Sequence, residues 1–287
     1  METDGKVALV TGASRGVGAA VAIELARAGA RVACAARSTI DEPQRTPGTL
    51  DETLRRIEDA GGTGWMIPTN LAIESEVVDM VAKTAEHFGR LDILVNNAAI
   101  TFIGDLDVPL RRHDLMMNVN FRAPFVAIRE AVPHMTAVGG GSIVNVSSVA
   151  ALYPFGDNMS YGISKIALER LTIDAAKQLQ TVPIAVNCFR IDIPVASEGF
   201  IANTEGVDRS TWEPSEVAAE GIVWMIRQPP SYSGRRESMY ALRQREGIMA
   251  SRSERPSEAS APPTELFNGL APIQQSHYRE PYADGSP

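Results

Sequence analysis

The chain has 287 residues, 44% of them apolar, 22% charged and 6% aromatic, with a net charge of −8 and a pI near 5.2. This composition fits a globular body large enough to bury a core, and excludes a disordered chain, a collagen-like repeat and a coiled coil. No run approaches the roughly 18 apolar residues of a membrane span, and no basic stretch offers a nucleic-acid surface, so neither is expected as a partner.

The opening METDGKVALVTG carries too short an apolar run for a secretory signal. Cys34 and Cys188 lie in separate apolar runs and read as free buried thiols of a reducing cytoplasm. His87, His113, His134 and His277 have no metal-ligand spacing, so no metal is expected.

Short β-branched runs predict strands over 6–10, 30–36, 64–70, 91–97, 142–148, 183–189 and 237–242. Between them apolar residues recur at three- and four-residue spacing, as in Val17, Val21, Ile23 and Leu25, then Val77, Met80, Val81 and Ala85. Gly29, Gly61, Gly62 and Gly89 stand where helices would stop. Strand–helix alternation with near-continuous apolar strands predicts a doubly wound α/β fold, one domain over 1–250 with a seven-stranded parallel sheet covered on both faces.

Two segments break the rhythm. Residues 38–50 form a polar, Pro-containing insertion after the second strand. Residues 251–287 hold six of the 18 prolines in their 37 positions and read as a disordered tail. The other reading of that tail has Leu266, Phe267, Leu270, Ile273, Tyr278 and Tyr282 docking on the body or on a neighbouring subunit.

The first strand runs into Thr11-Gly12-Ala13-Ser14-Arg15-Gly16-Val17-Gly18 and then a helical pattern. Glycines there allow a tight turn and close approach of backbone to a pyrophosphate, and the helix N-terminus favours an anion. The spacing G-x-x-x-G-x-G resembles that of the short-chain dehydrogenase/reductase family, over about residues 5–242. The resemblance implies a Rossmann fold, a nicotinamide cofactor and a homodimer or homotetramer built from the helices near 108–134 and 161–180.

An acidic residue at the end of the second strand would select NAD. Ala36 stands there instead, followed by Arg37, and with Arg15 this pair implies NADP(H), whose 2′-phosphate a guanidinium matches. Asn70-Leu71 replaces the family's adenine-contacting Asp. Asn96-Asn97-Ala98-Ala99 resembles its N-N-A-G, with small residues beside the adenosine.

Tyr161 and Lys165, four apart in a helical pattern, share one face. Ser148 ends the fifth strand thirteen residues earlier, and Asn120 lies in MMNVNFRAPF. Their order and spacing resemble the family's catalytic Asn, Ser, Tyr and Lys. The chemistry fits: hydride exchange with a carbonyl carbon requires proton exchange at oxygen, and Tyr161 can perform it. Its ordinary pKa of about 10 must fall by roughly two to three units, about 3–4 kcal/mol, which the Lys165 cation and an oxidised nicotinamide are expected to supply. Ser148 would hold the substrate oxygen, and Asn120 a water that passes protons from Lys165 to solvent.

After the sixth strand the family's Pro-Gly turn and later Thr are missing. Ile191, Asp192 and Ala196 occupy those places, and the backbone of Ile193 is expected to hold the carboxamide. Asp192 is read either as facing the site mouth, where it contacts substrate or raises the pKa of Tyr161, or as a solvated carboxylate. Tyr153, Phe155 and Phe200 are the principal substrate-contact candidates, with Phe102, Leu152, Ile201 and Trp212 nearby, and their bias favours a small lipophilic ketone or secondary alcohol. Two other readings stand beside this one: a catalytically silent NADPH-binding sensor or scaffold, and an enone reductase on the same fold.

Overall fold

The first strand shows why the sheet must lie between two helical layers. All five residues of β1 (Val7–Thr11) are buried. Val7 and Leu9 join one apolar layer while Ala8 and Val10 join the other. In the computed structural model, which describes residues 1–154, 157–202, 204 and 206–256, six more strands complete one parallel sheet. They are β2 (Arg31–Ala36), β3 (Thr63–Pro68), β4 (Ile93–Asn96), β5 (Gly141–Ser148), β6 (Ile184–Ile191) and β7 (Arg236–Ser238), in the order β3-β2-β1-β4-β5-β6-β7. The expected doubly wound, seven-stranded fold is therefore what the chain adopts.

One layer holds α1 (Gly16–Arg27), α2 (Leu50–Asp59), α8 (Ser215–Ile226) and α9 (Met239–Glu246); the other holds α3 (Glu74–Phe88), α5 (Ala123–Ala137) and α6 (Met159–Gln178). A short α4 (Leu110–Met117) reaches α5 through a π-helical turn, Asn118–Arg122, and α7 (Glu198–Ala202) follows β6. Order reversal between β1 and β4 opens a crevice at their carboxyl ends, the usual ligand position in such sheets. Among the described residues no helix is long and apolar enough to cross a membrane.

One boundary departs from the sequence reading. The strand expected over 237–242 stops at Ser238, whose hydroxyl accepts from the Ala241 amide and starts α9. Met239 and Leu242 then bury themselves one turn apart, so three-residue spacing prevails over β propensity. Residues 251–256, assigned by composition to the tail, are tied to the body: the Arg252 amide donates to Glu213 Oε2 at 2.8 Å and the Arg255 amide to the Ser210 carbonyl at 2.9 Å. The aromatic and aliphatic docking candidates from Leu266 to Tyr282 lie outside the described residues.

This C-terminal segment packs through Met249 onto Gly221 of α8. A Cβ at Gly221 would stand 2.4 Å from Met249 Sδ and 2.6 Å from a Phe189 ring carbon. Gly221→Ala is expected to destabilise the fold by about 1–3 kcal/mol through overpacking, measured as a lower Tm in thermal unfolding.

Candidate active site

The crevice is built first from backbone. Gly12 and Gly16 take positive φ values of 69° and 56°, turning the chain from β1 into α1. Gly18 answers to packing instead: a Cβ there would lie 2.3 Å from the Gly12 carbonyl oxygen. The Thr11 hydroxyl donates to the Val95 carbonyl and accepts from the amides of Asn97 and Ala98, while Asn97 Nδ2 donates to the Thr11 carbonyl at 2.9 Å. Thr11 and Asn97 thus clamp the ends of β1 and β4 together, shaping the crevice rather than offering it free side-chain groups. Val17 is buried in the apolar layer, and Ala98 approaches the Gly12 turn closely.

The N-terminus of α1 has no side-chain cap and no acid in its first turn, so its amides and dipole are open to an anion. Ser14 is buried in this turn, and the buried Arg15 Nε has no hydrogen-bond partner. These residues fit a dinucleotide's pyrophosphate. The 38–50 insertion packs directly on the turn: Arg15 Nη2 and Ser38 Oγ each donate to the Gly48 carbonyl at 2.7 Å. Arg37 is exposed and close enough to lower the pKa of Arg15, although burial is the larger cause of that lowering. Asn70 accepts from the Ala72 amide at 3.1 Å and so shapes its own turn, with Leu71 half-buried beside it.

Three of the four expected catalytic residues, Ser148, Tyr161 and Lys165, meet at the end of β5 and on α6. Gly162 lets α6 press onto the turn 149–151, since a Cβ there would sit 2.8 Å from the Ala150 carbonyl oxygen. That approach brings the Tyr161 phenol close enough to Ser148 for the serine to act on its pKa. Lys165 is fully buried, donates to the Val146 carbonyl at 2.8 Å and lies 5.5 Å from the centre of the Tyr161 ring. Burial pushes the Tyr161 phenol above its ordinary value, against the opposing pull of Ser148, and pulls Lys165 down to about 8. Within the chain alone burial outweighs the pull of Ser148, and the expected lowering of the phenol is assigned to Lys165 together with an oxidised nicotinamide.

Asn120 sits in the π-helical turn, a feature frequent at functional sites. Its Oδ1 accepts from the Ile100 amide at 2.8 Å, and its Nδ2 donates to the Ile100 carbonyl at 2.9 Å and to Ser164 Oγ at 3.0 Å. The side chain clamps the turn after β4 to α6.

Asp192 departs from the solvated reading. Its Oδ2 accepts from the Ser238 hydroxyl and its Oδ1 from the Tyr240 amide at 3.0 Å, so the half-buried carboxylate is tied to the start of α9 rather than freely solvated. Burial raises its pKa, against these hydrogen bonds. The Ile193 side chain belongs to the core. Tyr153 is buried, Phe200 stacks on Trp212 at 4.6 Å, and Phe155 lies outside the described residues.

Two residues at the crevice were missed. A Cβ at Gly16 would meet Ser197 Cβ at 2.9 Å and Glu198 Oε2 at 3.4 Å, so this pair lies over the glycine turn. Ser197, a hydroxyl one place after Ala196, was the available signal. The Glu198 charge acts on Arg15, and its buried Oε2 has no hydrogen-bond partner.

Comparison with known proteins gives a family model, short chain dehydrogenase, matching residues 6–193. Hydroxysteroid dehydrogenase-like protein 2 of Mus musculus is 33% identical over 235 residues, covering 80% of this chain and 47% of the mouse protein. Its Danio rerio counterpart is 31% identical over 257 residues, covering 86% of this chain and 61% of that protein. The chain thus spans about half to three-fifths of the length of these relatives. A metagenomic short-chain oxidoreductase solved in complex with NADP superposes with a TM-score of 0.69 at 29% identity, covering 83% of this chain and 99% of that one.

The Glu198 carboxylate beside an anion-binding turn opposes a phosphate there. Glu198→Gln is expected to tighten NAD(P)H binding about two- to five-fold, measured by fluorescence titration. An unchanged Kd would place the carboxylate outside the field of the bound phosphates.

Proposed function

The chain belongs to the short-chain dehydrogenase/reductase family, and from that premise we propose that it exchanges hydride between NADP(H) and a carbonyl or secondary alcohol of a small lipophilic substrate. The observation that carries this reading is the placement of the Tyr161 phenol where Ser148 acts on it, with the Lys165 ammonium 5.5 Å from the centre of the phenol ring. NADP(H), when bound, supplies the redox chemistry. The chain's part is the proton: Ser148 holds the substrate oxygen, and Tyr161 donates to it in reduction or accepts from it in oxidation. Lys165 is the cation placed against the phenol among the described residues, and it holds this role while it keeps its proton, which it loses near pH 8.

Two adjacent guanidinium groups, Arg15 and Arg37, support NADP(H) over NAD(H). The NADP-bound relative agrees with that choice. The stacked Phe200 and Trp212, with the name of the hydroxysteroid dehydrogenase-like relatives, support a lipophilic substrate. The exposed Phe125 on α5 with Ile163 and Ile166 on α6 suit burial in a homodimer or homotetramer. The free, buried Cys34 and Cys188 suit a cytoplasmic setting.

Tyr161→Phe is expected to cut turnover to below about a tenth of wild type while NADPH binding stays nearly intact. NADPH oxidation with a panel of ketones, aldehydes and enones checks both this and the substrate class. A variant that retains more than that rate, or a wild type that binds NADPH and reduces none of the panel, overturns the reading. Arg37→Ala is expected to raise KM for NADPH about ten-fold and leave KM for NADH nearly unchanged.

A further inference from the structure

Behind Lys165 lies a charged pair that the proton chemistry leaves unused. Glu169, one turn further along α6, is completely buried. Arg190 at the end of β6, itself 2% exposed, grips it with Nε on Oε1 at 2.8 Å and Nη2 on Oε2 at 2.7 Å. Arg236 of β7 stands 3.8 Å from the same Oε2. A carboxylate stripped of water persists only where cations and hydrogen bonds compensate it, and this fork occupies both of its oxygens. Arg190 also opens the 190–196 segment, where the chain departs from its family's Pro-Gly turn.

The groups that face Lys165 are Tyr161 and Glu169 on its own helix, the Val146 carbonyl of β5 and Cys188 of β6, with Arg190 of β6 and Arg236 of β7 held on the far side by Glu169. Asp192 lies beyond them and acts on Arg190. Burial pulls Lys165 down, against the opposing pull of Cys188 and Glu169. The Cys188 thiol is itself pushed far up by burial and is uncharged near neutrality, so Glu169 is the operative anion.

We propose that Glu169 is a positioning residue for the reaction: held in place by Arg190, it keeps Lys165 protonated and aimed beneath Tyr161. The proposal deepens the proton-exchange reading of Tyr161 and Lys165 and rests on it.

The test is the pH dependence of kcat/KM for carbonyl reduction. In that direction the active form carries protons on both Tyr161 and Lys165, and activity falls as pH rises through their first apparent pKa. Removing a nearby anion lowers that value whichever of the two releases the proton. Glu169→Gln is expected to move the alkaline limb down by about one pH unit. Because Glu169→Gln removes the carboxylate that the buried Arg190 grips, it can fail to fold. The double variant Glu169→Met with Arg190→Met removes both charges and fills the space with apolar atoms, an exchange that stability tolerates. It is expected to keep a near-wild-type Tm and still show the limb moved down. A double variant with wild-type Tm and an unmoved limb would make the pair purely structural and overturn the proposal. Tyr161→Phe in the wild-type background separates the two readings: if that variant stays active, the proton-exchange assignment has failed, whatever Glu169 does.

Discussion

A lysine ammonium held out of water is the constraint from which much of this site follows. Lys165 is 2% exposed, on a helix that packs along the carboxyl half of the sheet. An ammonium in such a place needs acceptors, and it finds one in the Val146 carbonyl, at 2.8 Å. For that bond to form, α6 must lie close to the end of β5, and Gly162 removes the Cβ that would hold it off the Ala150 carbonyl. The same approach places Tyr161 against Ser148 and spaces the phenol one turn from the lysine. Placement of the Tyr161 phenol and burial of the Lys165 ammonium are therefore one packing event, and burial draws the lysine down to about 8.

Across the crevice, the anion site follows a different logic. Thr11, Asn97, Gly12 and Gly18 hold β1, β4 and α1 in fixed relation through backbone contacts, so the turn's shape does not depend on long side chains. Charge is then added from the periphery. Arg15 is anchored by the Gly48 carbonyl of the insertion, which links a segment with no counterpart in the strand–helix rhythm to the cofactor end of the site. Glu198 brings an opposing charge from the other side. The balance of these two groups tunes a site whose backbone is already formed.

Features carried by periodicity or by contiguous motifs were legible in the sequence. The apolar strands, the glycine turn and the Ser148, Tyr161 and Lys165 spacing each lie within a single element or adjacent ones. What was not legible depends on partners distant in sequence. Asp192 reads as a loop carboxylate because its partners, Ser238 and the Tyr240 amide, lie more than forty residues on. Asn120 is identifiable by position, but its commitment to Ile100 and Ser164 is set by how the turn after β4 meets α6. The seventh strand was mistaken for its whole length because ESMYAL satisfies β propensity, while its helical end is fixed by a Ser238 cap and by burial of Met239 and Leu242. The pairing of Glu169 with Arg190 belongs to the same class, since a helix face and a strand end meet only in the folded chain.

The C-terminal segment shows how such distant partners reach the substrate side. Glu213 is fully buried and joins three stretches of chain. Its backbone pairs with Pro194 and Ala196 after β6, its Oε1 accepts from Arg243 of α9, and its Oε2 accepts from the Arg252 amide. Arg255 extends the contact by pairing with Asp208 and with the Ser210 carbonyl. The loop that carries Phe200 and Trp212 is thus bound at its base by residues beyond α9. Loops that contact substrate need freedom at the tip and fixed ends. Glu213 supplies such an end, and in doing so makes residues 249–256 part of the wall behind the loop that carries Phe200 and Trp212.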